Sequence, residues 1–256
     1  MTRRVLTVTA AGAALVVSSL LGPGAATAAA AAADDPSARD LVDQAKKNLL
    51  DAESVRLRLT DHSTDTRTGR TQPVSMDLAL DQDGNCAGTL RMGAGGGSVE
   101  IVKRGAEVWM KPDTAFWKAQ VPGGQGDAVA ELLKDRYLHG STHDAMLRGM
   151  AETCDLTSFQ KEITADSSDA RRLTKGAPTK VDGTEVIPLK GTSDGKRVAL
   201  YVTSDTPHRL VRATQKGGGT DLALSFSDYG RPVPSKTPSA GESVDVNKLQ
   251  DELRNA

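Results

Sequence analysis

Leu80 to Leu90 reads LDQDGNCAGTL, and the way the chain reverses inside it decides which face of the flanking strands is apolar. On one side Val74, Met76, Leu78 and Leu80 recur at every second position; on the other, Cys86, Leu90 and Met92 do the same. A two-residue loop at Asp83-Gly84 would set Leu78 opposite Thr89 and Met76 opposite Arg91. A three-residue loop, Gln82 to Gly84, pairs Leu80 with Cys86, Leu78 with Gly88, Met76 with Leu90 and Val74 with Met92. Only the second register leaves one continuous apolar face, because a one-residue slip turns every side chain over. Gly84 supplies the left-handed residue with which such loops end. The stretch therefore predicts an antiparallel hairpin with Cys86 facing inward beside Leu80.

The same residues imitate half a calcium loop, Asp81-x-Asp83-Gly84-Asn85. The glycine falls at position 4 instead of 6, and Met92 stands where the bidentate Glu of position 12 belongs, so the stretch fails as an EF-hand loop. His139 and His143 are four apart, but Gly140-Ser141 between them reads as a break and a new cap. No metal or other cofactor is expected. The G-x-S-x-G string at Gly191 to Gly195 falls on the Ser193-Asp194-Gly195 turn between two strands and not on a strand-to-helix elbow, and no pair of carboxylates is singled out for acid/base work, so the chain is not read as an enzyme.

Outward from the hairpin, the chain divides into a leader and one domain. Residues 1–33 read as a signal peptide: a basic MTRR start, an uncharged apolar run from Val5 to Leu21, then small residues with an A-x-A site at Ala26-Thr27-Ala28. Thr2-Arg3-Arg4 leaves a twin-arginine route open, and the poly-alanine run offers other cleavage points. No cysteine lies in this segment, so no lipid anchor is expected. The mature protein is then exported, secreted or associated with the cell envelope. A net charge of −1 over 256 residues offers no basic excess for phosphates, which argues against nucleic acid. In an oxidising compartment two cysteines are more often a structural staple than a redox or metal pair. A Cys86–Cys154 bond would close about 69 residues, worth roughly 4 kcal/mol.

Residues 34–256 read as one domain of antiparallel sheet with a few helices. Asp35 and Pro36 open a helix whose apolar stripe is Leu41, Val42, Ala45, Leu49 and Ala52. Val55, Leu57 and Leu59 then alternate with Arg56, Arg58 and Thr60, a half-buried strand with a basic outer face. His62 to Gln72 is a polar loop. After the first hairpin, Val99 and Ile101 pair with Met110 and Val108 around Arg104-Gly105, and Gly93 to Ser98 forms a flexible connection. Val108 to Lys118 is read as a hairpin carrying Trp109, Phe116 and Trp117. A helical interruption follows: Asp127 caps Val129, Leu132, Leu133 and Tyr137, and Ser141 with Asp144 caps Met146, Leu147 and Met150. Strands return near Val186–Leu189, Val198–Val202, Leu210–Ala213 and Leu222–Phe226, and a short helix or tail covers Val244 to Leu253.

This order of elements resembles the LolA-like half-barrel, and in particular the LprG/LppX-type envelope lipoproteins of actinobacteria. The resemblance is carried by GNCAGT (Gly84 to Thr89), EIVKRGAEVWMKPDTAFW (Glu100 to Trp117), VDGT (Val181 to Thr184), LYVTSDTPHRLVRA (Leu200 to Ala213) and FSDYGRPV (Phe226 to Val233). It implies an α+β fold, a LolA-like antiparallel half-barrel sheet with helices covering its concave face. It also implies a lipid or other amphiphile ligand held between sheet and helices, in the service of envelope lipid transport. Cavity candidates are Met76, Leu78, Leu90, Val99, Ile101, Met110, Phe116, Trp117, Leu132, Leu133, Met146 and Leu147; the plainer reading of the same residues is ordinary core. The alternative is a sensor or adaptor that binds an envelope protein partner, as RseB-like relatives do.

Overall fold

The computed structural model describes residues 35–64, 72–165 and 173–255. The expected signal peptide, 1–33, lies outside the described residues, as does most of the polar loop between His62 and Gln72. From Pro36 onward the chain forms one compact unit.

The first helix, α1 (Ala38–Leu50), buries Leu41, Val42, Ala45 and Leu49, the face that the 3.6-residue spacing selects. Its cap is Ser37, not Asp35. The Ser37 hydroxyl accepts from the Asp40 N–H at 3.2 Å, and the Asp40 carboxylate accepts from the Ser37 N–H at 3.0 Å. A reciprocal capping box satisfies two orphan amides, and Asp35 could serve only one.

Six strands follow: β1 (Ser54–Asp61), β2 (Pro73–Asp81), β3 (Cys86–Met92), β4 (Ser98–Arg104), β5 (Glu107–Pro112) and β6 (Tyr137–Ser141). Between β5 and β6 lie α2 (Thr114–Gln120) and α3 (Gly126–Leu132), and after β6 come α4 (Ala145–Glu152) and α5 (Leu156–Ala165). The second half adds β7 (Thr174–Lys175), β8 (Thr179–Val181), β9 (Thr184–Ser193), β10 (Lys196–Thr203), β11 (Leu210–Gly217) and β12 (Thr220–Ser227). Last are β13 (Ser243–Asp245) and α6 (Val246–Asn255). The architecture is α+β: one open, mostly antiparallel sheet in the order β13-β6-β5-β4-β3-β2-β1-β12-β11-β10-β9-β7, with β8 also on β9, and six helices among the described residues. Among the described residues only β13 on β6 is parallel.

The β2–β3 hairpin adopts the three-residue register: Leu80 faces Cys86, Leu78 faces Gly88 and Met76 faces Leu90. Gly84 takes φ +77°, the left-handed corner. The pairing of Val74 with Met92 fails, because an irregularity at the strand start brings Pro73 opposite Met92. The β4–β5 turn also differs. Its corner is Gly105-Ala106, so Ile101 pairs with Met110 and Lys103 with Val108. Gly105, at φ +54°, takes the first central position, the one at which a type II′ turn needs positive φ. The offset from the expected register totals two residues, so the apolar face is unchanged.

Two further expectations are corrected. Phe116 and Trp117 sit on α2 and not on a hairpin strand: β5 stops at Pro112 and Asp113 caps the helix through Phe116 N–H at 2.8 Å. Tyr137 is the first residue of β6 and not part of a helix, because Asp135 at φ +58° turns the chain after α3. Asp144 caps α4, while Ser141 ends β6 and donates its N–H to the Asp144 carboxylate. The Gly93–Ser98 connection is tied down at both ends. Met92 N–H donates to Gly97 O at 2.9 Å, and the Ser98 N–H and hydroxyl both donate to Asp113.

Candidate amphiphile-binding face

Alternation along each strand gives the sheet an inner apolar face and an outer polar one. One row of the inner face runs across seven strands: Phe226, Leu57, Leu78, Gly88, Ile101, Met110 and Leu138 are successive cross-strand partners. All but Gly88 are almost fully buried, at 4% exposure or less. The next row is Leu224, Leu59, Met76, Leu90, Val99 and Pro112. Leu90 and Val99 are buried there, but Met76, Leu59 and Leu224 are only half-buried. Burial thus fades along β1, β2 and β12 on the side away from the Gly84 turn.

Helices cover this face. Phe116 and Trp117 from α2, Ala130 from α3, Leu133 just after it, Leu147 and Ala151 from α4 and Leu156 from α5 join the sheet residues in one apolar cluster. Phe116 and Trp117 meet edge to face at 5.7 Å, and Phe159 of α5 lies 6.1 Å from Phe226. Phe159 and Ile163 are half-buried against the cluster, like Met76 and Leu224.

Of the residues singled out in the sequence, Leu78, Leu90, Val99, Ile101, Met110, Phe116, Trp117, Leu133 and Leu147 lie together in this cluster, and Met76 packs at its margin. Leu132 and Met146 do not join them: they are 63% and 43% exposed. Leu59, Leu224, Phe159 and Ile163, half-buried, lie outside that set of candidates. The period-2 strings VRLRL and LALSF and the α5 periodicity put them on apolar faces, but not at an exposed margin.

The opposite end of the apolar layer is closed by polar groups. Gln160, buried, donates to Leu49 O at 2.9 Å and Ala52 O at 3.0 Å, so α5 satisfies carbonyls at and beyond the C-terminus of α1. Lys103, 9% exposed, donates to Gly84 O at 2.6 Å. Burial pushes its ammonium pKa down, against the pull of the Asp155 and Asp81 carboxylates. Beside it the Cys86–Cys154 disulfide joins β3 to the turn between α4 and α5, with both cysteines fully buried.

The outer face is ordered by charge pairs. Arg56 and Arg58 both grip Asp77, at 2.6 Å and 2.9 Å. Partial burial opposes ionisation of Asp77, but the two guanidinium hydrogen bonds outweigh it and hold the carboxyl below its ordinary range. Farther along, Glu100 accepts from the Tyr137 hydroxyl and pairs with Lys111 at 3.1 Å. His139 stacks on Trp109 at 4.7 Å from within β6, while His143 lies in the turn before α4. Among the described residues no three His, Cys, Asp or Glu side chains gather as a metal would need.

Solved structures were compared with this arrangement. LprF from Mycobacterium bovis superposes with a TM-score of 0.53 at 15% identity, over 79% of this chain and 97% of its own. The chain shares the LprF fold. The lipoprotein LppX from Mycobacterium tuberculosis gives 0.47 at 14% identity, over 78% of this chain and 98% of that one. A LolA superfamily protein from Nitrosomonas europaea gives 0.21 at 12% identity, over 78% and 96%. No protein-family model and no curated protein matches the sequence.

Proposed function

We propose that the protein is an exported, non-catalytic carrier that binds a lipid or other amphiphile between the inner face of the sheet and its helical cover. The observation that carries this reading is the gradient of burial. The row that is tightly packed at Leu90 and Val99 opens at the half-buried Met76, Leu59 and Leu224, and Phe159 and Ile163 of α5 are likewise only half-buried against the same cluster. Apolar side chains that are continuous with a core yet half open to water give an acyl chain a place to add to that core. The fully packed candidates, from Leu78 to Leu147, form the wall against which the chain lies, and α4 and α5, stapled at Cys154, form the cover. The fold shared with LprF supports the reading through architecture alone.

Delipidated protein is expected to bind a fluorescent fatty acid saturably, and protein purified from its native host is expected to carry extractable lipid visible by mass spectrometry. Failure of both overturns the proposal. A second reading, an adaptor for an envelope protein, is favoured by the exposed Leu132 and Met146 on the helical cover. Pulldown of a specific protein lost on changing both to Gln, with fatty-acid binding absent, would replace the carrier reading.

A further inference from the structure

At the β9 edge the outer face of the sheet is hollowed. The edge strand there is interrupted: β7 pairs with β9 at Lys175 and Leu189 and β8 at Thr179 and Val186, and between them Gly176 N–H donates to Pro188 O at 2.8 Å. The hollow measures about 480 Å³, and its lining includes Lys180, Lys190, Arg212, Tyr201, Pro188 and Val181. That volume falls within the range of small-ligand sites. Tyr201 is the cross-strand partner of both Pro188 and Arg212, so these three share the outer face, opposite Leu189 and Leu200.

The polar groups here are donors of different kinds. Arg212 is held in place: its Nε donates to Ser225 Oγ at 3.0 Å and its Nη2 to Asp182 at 2.6 Å. Lys180 pairs loosely with Glu185 at 3.7 Å. Lys190 is different. Its cross-strand partners are Ala199 and Thr174, neither charged, and the Thr174 hydroxyl donates to its backbone carbonyl at 3.1 Å and not to its side chain. Asp182 and Glu185 thus offset two of the three cations and leave the Lys190 ammonium uncompensated among the described residues. The Tyr201 phenol has no partner there either.

We infer that this hollow binds a phosphoryl group, either on a small soluble molecule or in a phospholipid headgroup. A fixed guanidinium, a free ammonium and a free phenol provide the hydrogen-bond donors that a tetrahedral oxyanion accepts. The Tyr201 ring, Pro188 and Val181 offer an apolar wall for the sugar- or glycerol-sized group that bears it. Because the anion shares Arg212 with Asp182, the affinity is modest, with Kd about 1 mM for inorganic phosphate. The site lies on the face opposite the amphiphile site, so either proposal can fail without the other.

The test is titration of the whole isotope-labelled protein with inorganic phosphate up to about 10 mM, ten times that Kd, followed by amide NMR. Saturable shifts centred on Lys190, Tyr201 and Arg212 are expected. Lys190→Gln should weaken binding about tenfold with an unchanged thermal midpoint, and Lys216→Gln, a cation paired with Asp221 elsewhere on β11, should leave it intact. A parallel arm measures sedimentation with phosphatidylglycerol vesicles and with phosphatidylcholine vesicles. Lys190-dependent binding to the anionic vesicles assigns a headgroup; phosphate binding without vesicle binding assigns a soluble ligand. Absence of phosphate shifts at these residues, or equal loss from Lys190→Gln and Lys216→Gln, overturns the inference.

Discussion

Changing Cys86 and Cys154 together to alanine removes the one covalent tie between sheet and cover, and its cost can be worked out. The bond spans a sequence separation of 68 residues. On the chain-entropy account, releasing a loop of that length returns about 4 kcal/mol of freedom to the unfolded ensemble. Both side chains are fully buried, so deleting two sulfurs from the core adds roughly 1 kcal/mol each. The total, about 6 kcal/mol, is a large share of the 5 to 15 kcal/mol that typically holds a domain. Urea unfolding followed by circular dichroism and tryptophan fluorescence measures it. Because most of the effect acts on the unfolded chain, the denaturant slope should rise as well, reflecting a more expanded denatured state. Hydrogen exchange at α4 and α5, the helices flanking Cys154, should quicken more than at β3, which stays paired on both sides. A loss below about 1 kcal/mol would refute the reasoning, as would a free thiol at either cysteine in peptide maps made without reductant.

Three other outcomes are expected. Asp113→Ala should cost about 1 to 2 kcal/mol in chemical unfolding, since this carboxylate caps α2 and also anchors Ser98; Asp113→Asn should recover part of that loss. Acid should destabilise the fold below about pH 4, because Asp77, Asp113 and Asp155 all have depressed folded-state pKa values. Such groups stabilise above their unfolded pKa and lose that contribution as pH falls through the folded one; thermal midpoints should be flat near neutrality, and Asp77→Asn should make the acid limb shallower. Leu224→Gln should weaken fluorescent fatty-acid binding about tenfold, about 1.4 kcal/mol, while the solvent-facing Leu132→Gln leaves it unchanged; equal effects from the two would count against the inner-face site.

Much of this fold can be read locally. The β2–β3 register follows from demanding one apolar face, and α1 shows its buried stripe because thirteen residues cover several turns. Legibility fails where elements are short or partners distant. The seven residues of α3 are too few to fix the phase of a helix, so adjacent Leu132 and Leu133 looked equivalent although one is exposed and the other buried. The aromatic cluster at Phe116 and Trp117 suggests a strand, but the Pro112-Asp113 stop and cap decide for a helix. The three residues of β13 carry no pattern of their own and owe their state to β6. Of the candidate site, the packed wall was visible as alternation. The opening at Leu59 and Leu224 was not, because it depends on β1 meeting β12. The hollow at Lys190 likewise arises from an interruption between two short edge strands, which no single segment displays.

That meeting of β1 and β12 also bears on how the chain is made. Leu57 finds one neighbour, Leu78, almost as soon as it is synthesised, and its other, Phe226, only when the last long strand appears. Until then β1 is a temporary rim with unsatisfied amides, open to any strand that reaches it first. Arg56 and Arg58 stand on that rim, already able to bond to Asp77 of the early hairpin. The same arginines that order the finished outer face would discourage a half-made molecule from pairing with its neighbours. Their loss should then show first as a lower yield of soluble protein, before any change in the stability of the molecules that do fold.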